Sequence, residues 1–156
     1  MADRLKLRQH TWMDVAYAIS GLATCARRKV GCVMLDSHHR VLATGYNGVA
    51  RGQSHCSSGT PCPGATCAPG TGLDLCEAIH AEVNALVQLT RPDDVHTIYV
   101  TASPCVHCVK PLLNTAGRVL IFHETYAHGD AALNLWRTAG RSVRHLADYV
   151  PRTIHD

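Results

Sequence analysis

Two short fragments carry residue types and spacings that can do chemistry: His80-Ala81-Glu82, and Pro104-Cys105-Val106-His107-Cys108. Cysteines at i and i+3 on the first turn of a helix share one face. The free N–H groups and positive dipole end there favour thiolates. Two thiolates cancel the charge of a zinc ion and a neutral imidazole adds a third ligand. His80, Cys105 and Cys108 are therefore a candidate catalytic metal set, with the fourth position left for a water whose pKa the metal lowers toward neutrality. Glu82 lies beside this set and is the candidate catalytic residue, free to carry protons without binding the metal. His107, inside the thiol pair, is expected to point away.

The elements that must position these residues follow from pattern. Trp12, Val15, Ala16, Ile19 and Leu22 recur at helical spacing and predict a helix over 9–24. Strands over 30–35 and 41–45, joined by the polar turn 36–40, read as a hairpin. Gly, Pro, Ser, Thr and Cys dominate 46–75, a loop long enough to be functional. Helices are expected over 78–89, 105–116 and 130–139, and strands over 97–101, 119–122 and 142–146. The order α-β-β-α-β-α-β-α-β implies a three-layer α/β/α sandwich on a mixed five-stranded sheet, with the first two strands antiparallel and the later ones parallel. The histidine and both cysteines then fall at helix starts, separated by a strand.

At 156 residues, the chain reads as a single domain over 1–156 with a Cys-rich insertion at 46–75, large enough to bury roughly 70% of its unfolded surface. A net charge of +3, with dispersed Lys and Arg, argues against a nucleic-acid polymer as partner. Neither a signal peptide nor a membrane span is expected, which points to a soluble cytoplasmic protein. Eight cysteines in such a compartment suggest metal or catalysis ahead of disulfides. Cys56, Cys62, Cys67 and Cys76 are candidate ligands of a second, structural zinc, with His55 as a competing ligand; free thiols in a Cys-rich loop are the other reading. Cys25 and Cys32 read as core residues.

Either chemical fragment alone is commonplace, but together they match the H-x-E…P-C-x-x-C signature of zinc deaminases. With Thr24 to Gly31, Thr44-Gly45-Tyr46-Asn47-Gly48 and Glu124-Thr125-Tyr126 added, the chain resembles the cytidine and deoxycytidylate deaminase superfamily, and within it the deoxycytidylate deaminase branch, from Trp12 to Gly140. The resemblance implies a cytidine deaminase-like fold and conversion of dCMP to dUMP and ammonia, supplying thymidylate synthesis. It also implies that Asn47 meets the deoxyribose, that the Ala81 N–H and Ser103 carbonyl address the base, and that Arg27, Arg28, Lys110 and Tyr126 are the phosphate candidates, Arg28 and Tyr126 foremost. A homo-oligomer, hexameric in the family, and dCTP/dTTP regulation are further implications. Here Val49-Ala50 stands after Gly-Tyr-Asn-Gly, where the family commonly carries a residue followed by Pro, a departure in the loop linked to that regulation. Alternatives from the residues are a deaminase of a free cytosine-, cytidine- or guanine-type base or of a 5-substituted deoxycytidylate, a non-catalytic zinc module, and a single-strand nucleic-acid editor. Glu82 speaks against the module, and the lack of a basic groove with aromatic platforms speaks against the editor.

Overall fold

The computed structural model describes residues 1–68 and 70–152. Helix α1 (Ala2–Ser20) leads into the hairpin β1 (Gly31–Leu35) and β2 (Val41–Tyr46). There follow α2 (Ala81–Leu86), β3 (Thr97–Ala102), α3 (Val106–Leu112), β4 (Val119–Glu124), α4 (Gly129–Thr138) and β5 (Ser142–His145). Short 3-10 turns interrupt the loops at Leu73–Leu75 and Pro92–Asp94. The five strands form one sheet in the order β2-β1-β3-β4-β5. β1 runs antiparallel to both neighbours, while β3, β4 and β5 are parallel, as expected from the intervening helices.

Strand alternation sorts the apolar residues into two layers. Cys32, Met34, Ile98, Val100, Leu120 and Phe122 face one side and pack with Ala81 and Ala85 of α2, Val109 and Leu112 of α3, and Trp136 of α4. Val33, Leu35, Tyr99 and Ile121 face the other side and pack with Met13 and Ala16 of α1 and with Leu146 and Tyr149. β1 and β3 are buried along their whole length because both faces of the sheet are covered there, and Thr97 and Thr101 are the buried polar residues of β3. The hairpin turn is closed by Asp36, whose Oδ1 accepts the His38 and Arg40 N–H groups at 2.8 Å each.

Element bounds differ from expectation most in the first three helices, and β4 runs on to Glu124 rather than 122. α1 starts at Ala2 rather than 9, since residues 3–8 are good helix formers without apolar periodicity. It stops at Ser20, after which the chain turns out and Thr24 N–H bonds the Asn47 carbonyl at 3.1 Å. α2 starts at Ala81 rather than 78 because Ile79 is extended, exchanging both backbone hydrogen bonds with Gly48 at 2.8 and 3.1 Å. α3 ends at Leu112 rather than 116, tightening into 3-10-type bonds from Asn114 to Pro111 and from Thr115 to Leu112. Among the described residues no helix is long and apolar enough to cross a membrane.

One close approach sets the position of α2. A Cβ on Gly45 would stand 2.2 Å from the Ala81 carbonyl oxygen and 2.4 Å from the Ala85 nitrogen. The bare glycine lets α2 lie directly on β2, and α2 carries the two residues that matter most.

Candidate metal centre and substrate cleft

The reactive residues gather at the carboxyl ends of the parallel strands, where open α/β sheets bind ligands. His80 is the extended N-cap of α2 (φ −71°, ψ 153°), and Cys105 is the extended N-cap of α3 (φ −87°, ψ 168°). Each side chain leaves its helix at the positive end of the dipole. Cys108, one turn into α3, is buried behind them.

The Sγ atoms of Cys105 and Cys108 are 3.7 Å apart, and His80 Nδ1 lies 3.5 Å from the first and 3.3 Å from the second. A tetrahedral zinc with normal bond lengths separates two thiolates by about 3.8 Å and a thiolate from an imidazole nitrogen by about 3.5 Å. The three atoms thus fit one zinc ion. Among the described residues, this is the one set of three or more potential ligands drawn within 4.8 Å of each other.

The electrostatics suit the same purpose. Hydrogen bonding from the Cys108 thiol, and then from His80, holds Cys105 down to about 3. The shared contact with Cys105, reinforced by burial, pushes the Cys108 thiol well up, and the Cys105 hydrogen bond raises His80. Glu82, in the first turn of α2, is 4% exposed, and burial raises its carboxyl above the usual range. A carboxyl so placed can pick up a proton and give it back.

These groups open onto a cleft of about 440 Å³. His80, Ala81, Glu82, Cys105, Asn47, Ser103, Arg27, Arg28 and Tyr126, all expected from the sequence, line it. Asn47 is buried and braces the wall: its Oδ1 accepts the Val30 N–H and its Nδ2 donates to the Arg28 carbonyl, each at 2.7 Å. The Ser103 hydroxyl accepts the Tyr126 N–H at 2.7 Å, fixing the opposite wall. Lys110 is exposed on α3 and is not among the lining residues, a departure from expectation. It lies five residues beyond Cys105, so the helix carries it away from the end that faces the cleft.

Loop 46–75 roofs the cleft with Ala65, Cys67, Gly70 and Leu73. Arg27 ties this roof down, donating to the Ala68 and Thr71 carbonyls at 3.0 and 3.2 Å, and His128 Nε2 meets the Gly70 carbonyl at 3.1 Å. Among the loop cysteines, Cys56 and Cys62 approach to 3.6 Å, while the Cys67 thiol turns to the Pro63 carbonyl at 3.9 Å. No three of Cys56, Cys62, Cys67, Cys76 and His55 bring ligand atoms within 4.8 Å of one another. Cys76 also meets the Cys62 side chain. Cys67 and Cys76 line the cleft, and Cys25, read as core, is buried with one face on the cleft.

Sequence reasoning gave no role to Tyr17, His123 or Glu124. The Arg28 guanidinium pairs with the Glu124 carboxylate, whose other oxygen accepts the Tyr17 hydroxyl at 2.9 Å. The sequence marks Glu124 only as part of the Glu124-Thr125-Tyr126 motif. Nothing local marks Tyr17, which is 107 residues away.

The chain matches the family model described as the cytidine and deoxycytidylate deaminase zinc-binding region over residues 7–124. It is 32% identical over 144 residues to the deoxycytidylate deaminase of Schizosaccharomyces pombe, an alignment that covers 90% of this chain and 43% of that protein, so the chain spans less than half of it. Against the deoxycytidylate deaminase of Mycobacterium phage D29 it is 39% identical over 107 residues, covering 62% of this chain and 79% of the other. Its fold is similar to the crystal structure of the cyanophage S-TIM5 dCMP deaminase in complex with dCMP and dUMP, with a TM-score of 0.67, 23% identity, and coverage of 87% of this chain and 94% of that one.

Proposed function

Because this chain belongs to the cytidine and deoxycytidylate deaminase family, we propose that it hydrolyses dCMP to dUMP and ammonia. The observation that carries the reading is the tetrahedral spacing of His80, Cys105 and Cys108 beside the buried carboxyl of Glu82, in one cleft. The names of the relatives support it from outside the geometry.

A zinc ion on these three ligands supplies the Lewis acidity that makes water a nucleophile near neutral pH. The chain's own residues do the rest. Glu82 accepts a proton from the attacking water, passes it to N3 as oxygen adds to C4, then takes the second proton and delivers it to the amino group, which leaves as ammonia. Burial suits Glu82 to this, because a raised carboxyl is both a competent base and a competent acid. In this reading the Ala81 N–H and the Ser103 carbonyl would address the base, and Asn47 would meet the sugar. Arg28 and Tyr126, which line the cleft, would be the phosphate ligands. Assembly as a homo-oligomer and control by dCTP and dTTP belong to the same proposal and rest on the family resemblance.

One observation favours the uncharged-substrate alternative: Arg27 is committed to the loop carbonyls, and the Glu124 carboxylate offsets the charge of Arg28. Ammonia release from cytosine, deoxycytidine, dCMP and dCTP decides between the two. The proposal expects dCMP to exceed deoxycytidine in kcat/KM by at least about a hundredfold, since charge-assisted contacts to a phosphate contribute about 1.5–3 kcal/mol each. Equal rates on nucleotide and nucleoside would overturn the dCMP assignment and leave the metal chemistry standing.

A further inference from the structure

We propose that Glu124 is a positioning residue for substrate choice: it holds the Arg28 guanidinium at the cleft so that Arg28 meets the nucleotide's 5′-phosphate. The inference rests on the reading of the cleft as a nucleotide site and adds to it the residue that makes one arginine the phosphate reader.

Two arginines reach the cleft. Arg27 spends its guanidinium on the Ala68 and Thr71 carbonyls of the roof, where it serves to hold the loop. Arg28 is different. Among the described residues its side chain makes one hydrogen bond, from Nη2 to Glu124 Oε2, which leaves Nη1 and Nε for a ligand. A planar guanidinium gripped on one edge by a carboxylate presents its other edge in a set direction, which suits the paired acceptors of a phosphate.

The grip is itself anchored at both ends. Glu124 ends β4, and its carbonyl accepts the Ser103 N–H at 2.8 Å, so it is fixed to the wall that also carries Cys105. Its Oε1 accepts the Tyr17 hydroxyl, which is also 2.6 Å from His123 Nδ1. Tyr17 in turn stacks on Tyr149 at 5.7 Å, and the Tyr149 hydroxyl donates to Asp14 at 2.6 Å. Burial, then the Glu124 contact, pushes the Tyr17 phenol upward, so it remains a donor. On the backbone side, Asn47 Nδ2 holds the Arg28 carbonyl at 2.7 Å. Both the root and the tip of Arg28 are thus fixed before any ligand arrives. The order of a long, flexible side chain is the part of binding that otherwise costs entropy.

A carboxylate near a phosphate also repels it, so Glu124 could hinder as readily as help. Its side chain is 46% exposed, so solvent screens that repulsion. The sign of the change in the Glu124→Ala variant reads the balance between positioning and repulsion.

The test is the ratio of kcat/KM on dCMP to that on deoxycytidine, measured on one preparation each of wild type, Glu124→Ala and Glu124→Gln, so that any loss of folded enzyme cancels. The expected result is a drop of up to about tenfold in the ratio for Glu124→Ala, mainly through KM for dCMP, the size of the ordering cost of one long side chain. Glu124→Gln, which still accepts a hydrogen bond from Arg28, recovers part of the loss. A ratio that stays at the wild-type value in Glu124→Ala, or that rises because removal of the carboxylate frees Arg28, overturns the positioning role while the nucleotide reading survives. A wild-type ratio near one overturns both.

Discussion

Gly45→Ala tests how tightly the two halves of the metal centre are coupled. The added methyl would stand 2.2 Å from the Ala81 carbonyl oxygen and 2.4 Å from the Ala85 nitrogen, both backbone atoms of α2 with no rotamer to escape into. Ordinary contact begins at 3.4 Å, so α2 must retreat from β2 by about 1 Å. Overpacking of this kind costs about 1–3 kcal/mol, or a fall in Tm of roughly 2–12 °C for a domain this size. The larger effect is on chemistry. His80 caps α2 and Glu82 sits in its first turn, while Cys105 and Cys108 belong to α3, so the retreat splits the ligand trio and moves the proton carrier from the substrate. A misplacement of about 1 Å costs on the order of a hundredfold in rate. The assay is kcat/KM on dCMP with melting temperature and zinc content on the same sample. Activity within threefold of wild type with unaltered melting would refute the claim that the contact of β2 with α2 sets the geometry of the centre.

Glu82→Gln should fold and bind zinc as wild type does, yet lose at least about a hundredfold in turnover, because the amide hydrogen-bonds without ferrying a proton; more than a tenth of the wild-type rate would remove Glu82 from the mechanism. Elemental analysis should return about one zinc per wild-type chain and almost none for Cys105→Ser; two per chain would restore the loop cysteines as a second site. The Glu124 carboxyl has a pH signature as well. Burial alone would raise it, but the hydrogen bonds from Arg28 and Tyr17 carry it below its usual 4.5. A depressed carboxyl adds stability that is full above the unfolded value and is lost as pH falls through the folded one. The Tm difference between wild type and Glu124→Gln should therefore be largest near neutral pH and shrink below about pH 4.5; a difference that does not change on acidification would show that the contact carries no net stability.

What the sequence determined by itself was local. Cys105 and Cys108 are brought to one side of a helix start because three residues are close to one turn, and His80 and Glu82 are held near each other by their two-residue separation; such relations hold wherever the helix is placed. Strand alternation likewise marked which apolar residues face which layer, and the element order limited the sheet to a mixed one. Tertiary structure decided everything that joins distant segments. Ile79 looks helical by neighbourhood but is extended because Gly48 pairs with it. Arg27 and Arg28 are adjacent and chemically identical, yet one ties down the loop roof and the other meets Glu124, 96 residues on. Four cysteines in one loop suggest a metal site by composition; the fold decides that Cys56 comes to within 3.6 Å of Cys62, that Cys76 also meets Cys62, and that Cys67 turns to the Pro63 carbonyl. The reason is geometric: spacing along the chain fixes direction over one turn of helix or two residues of strand, whereas the meeting of side chains across the sheet depends on register, crossing and loop path, which only the packed core sets.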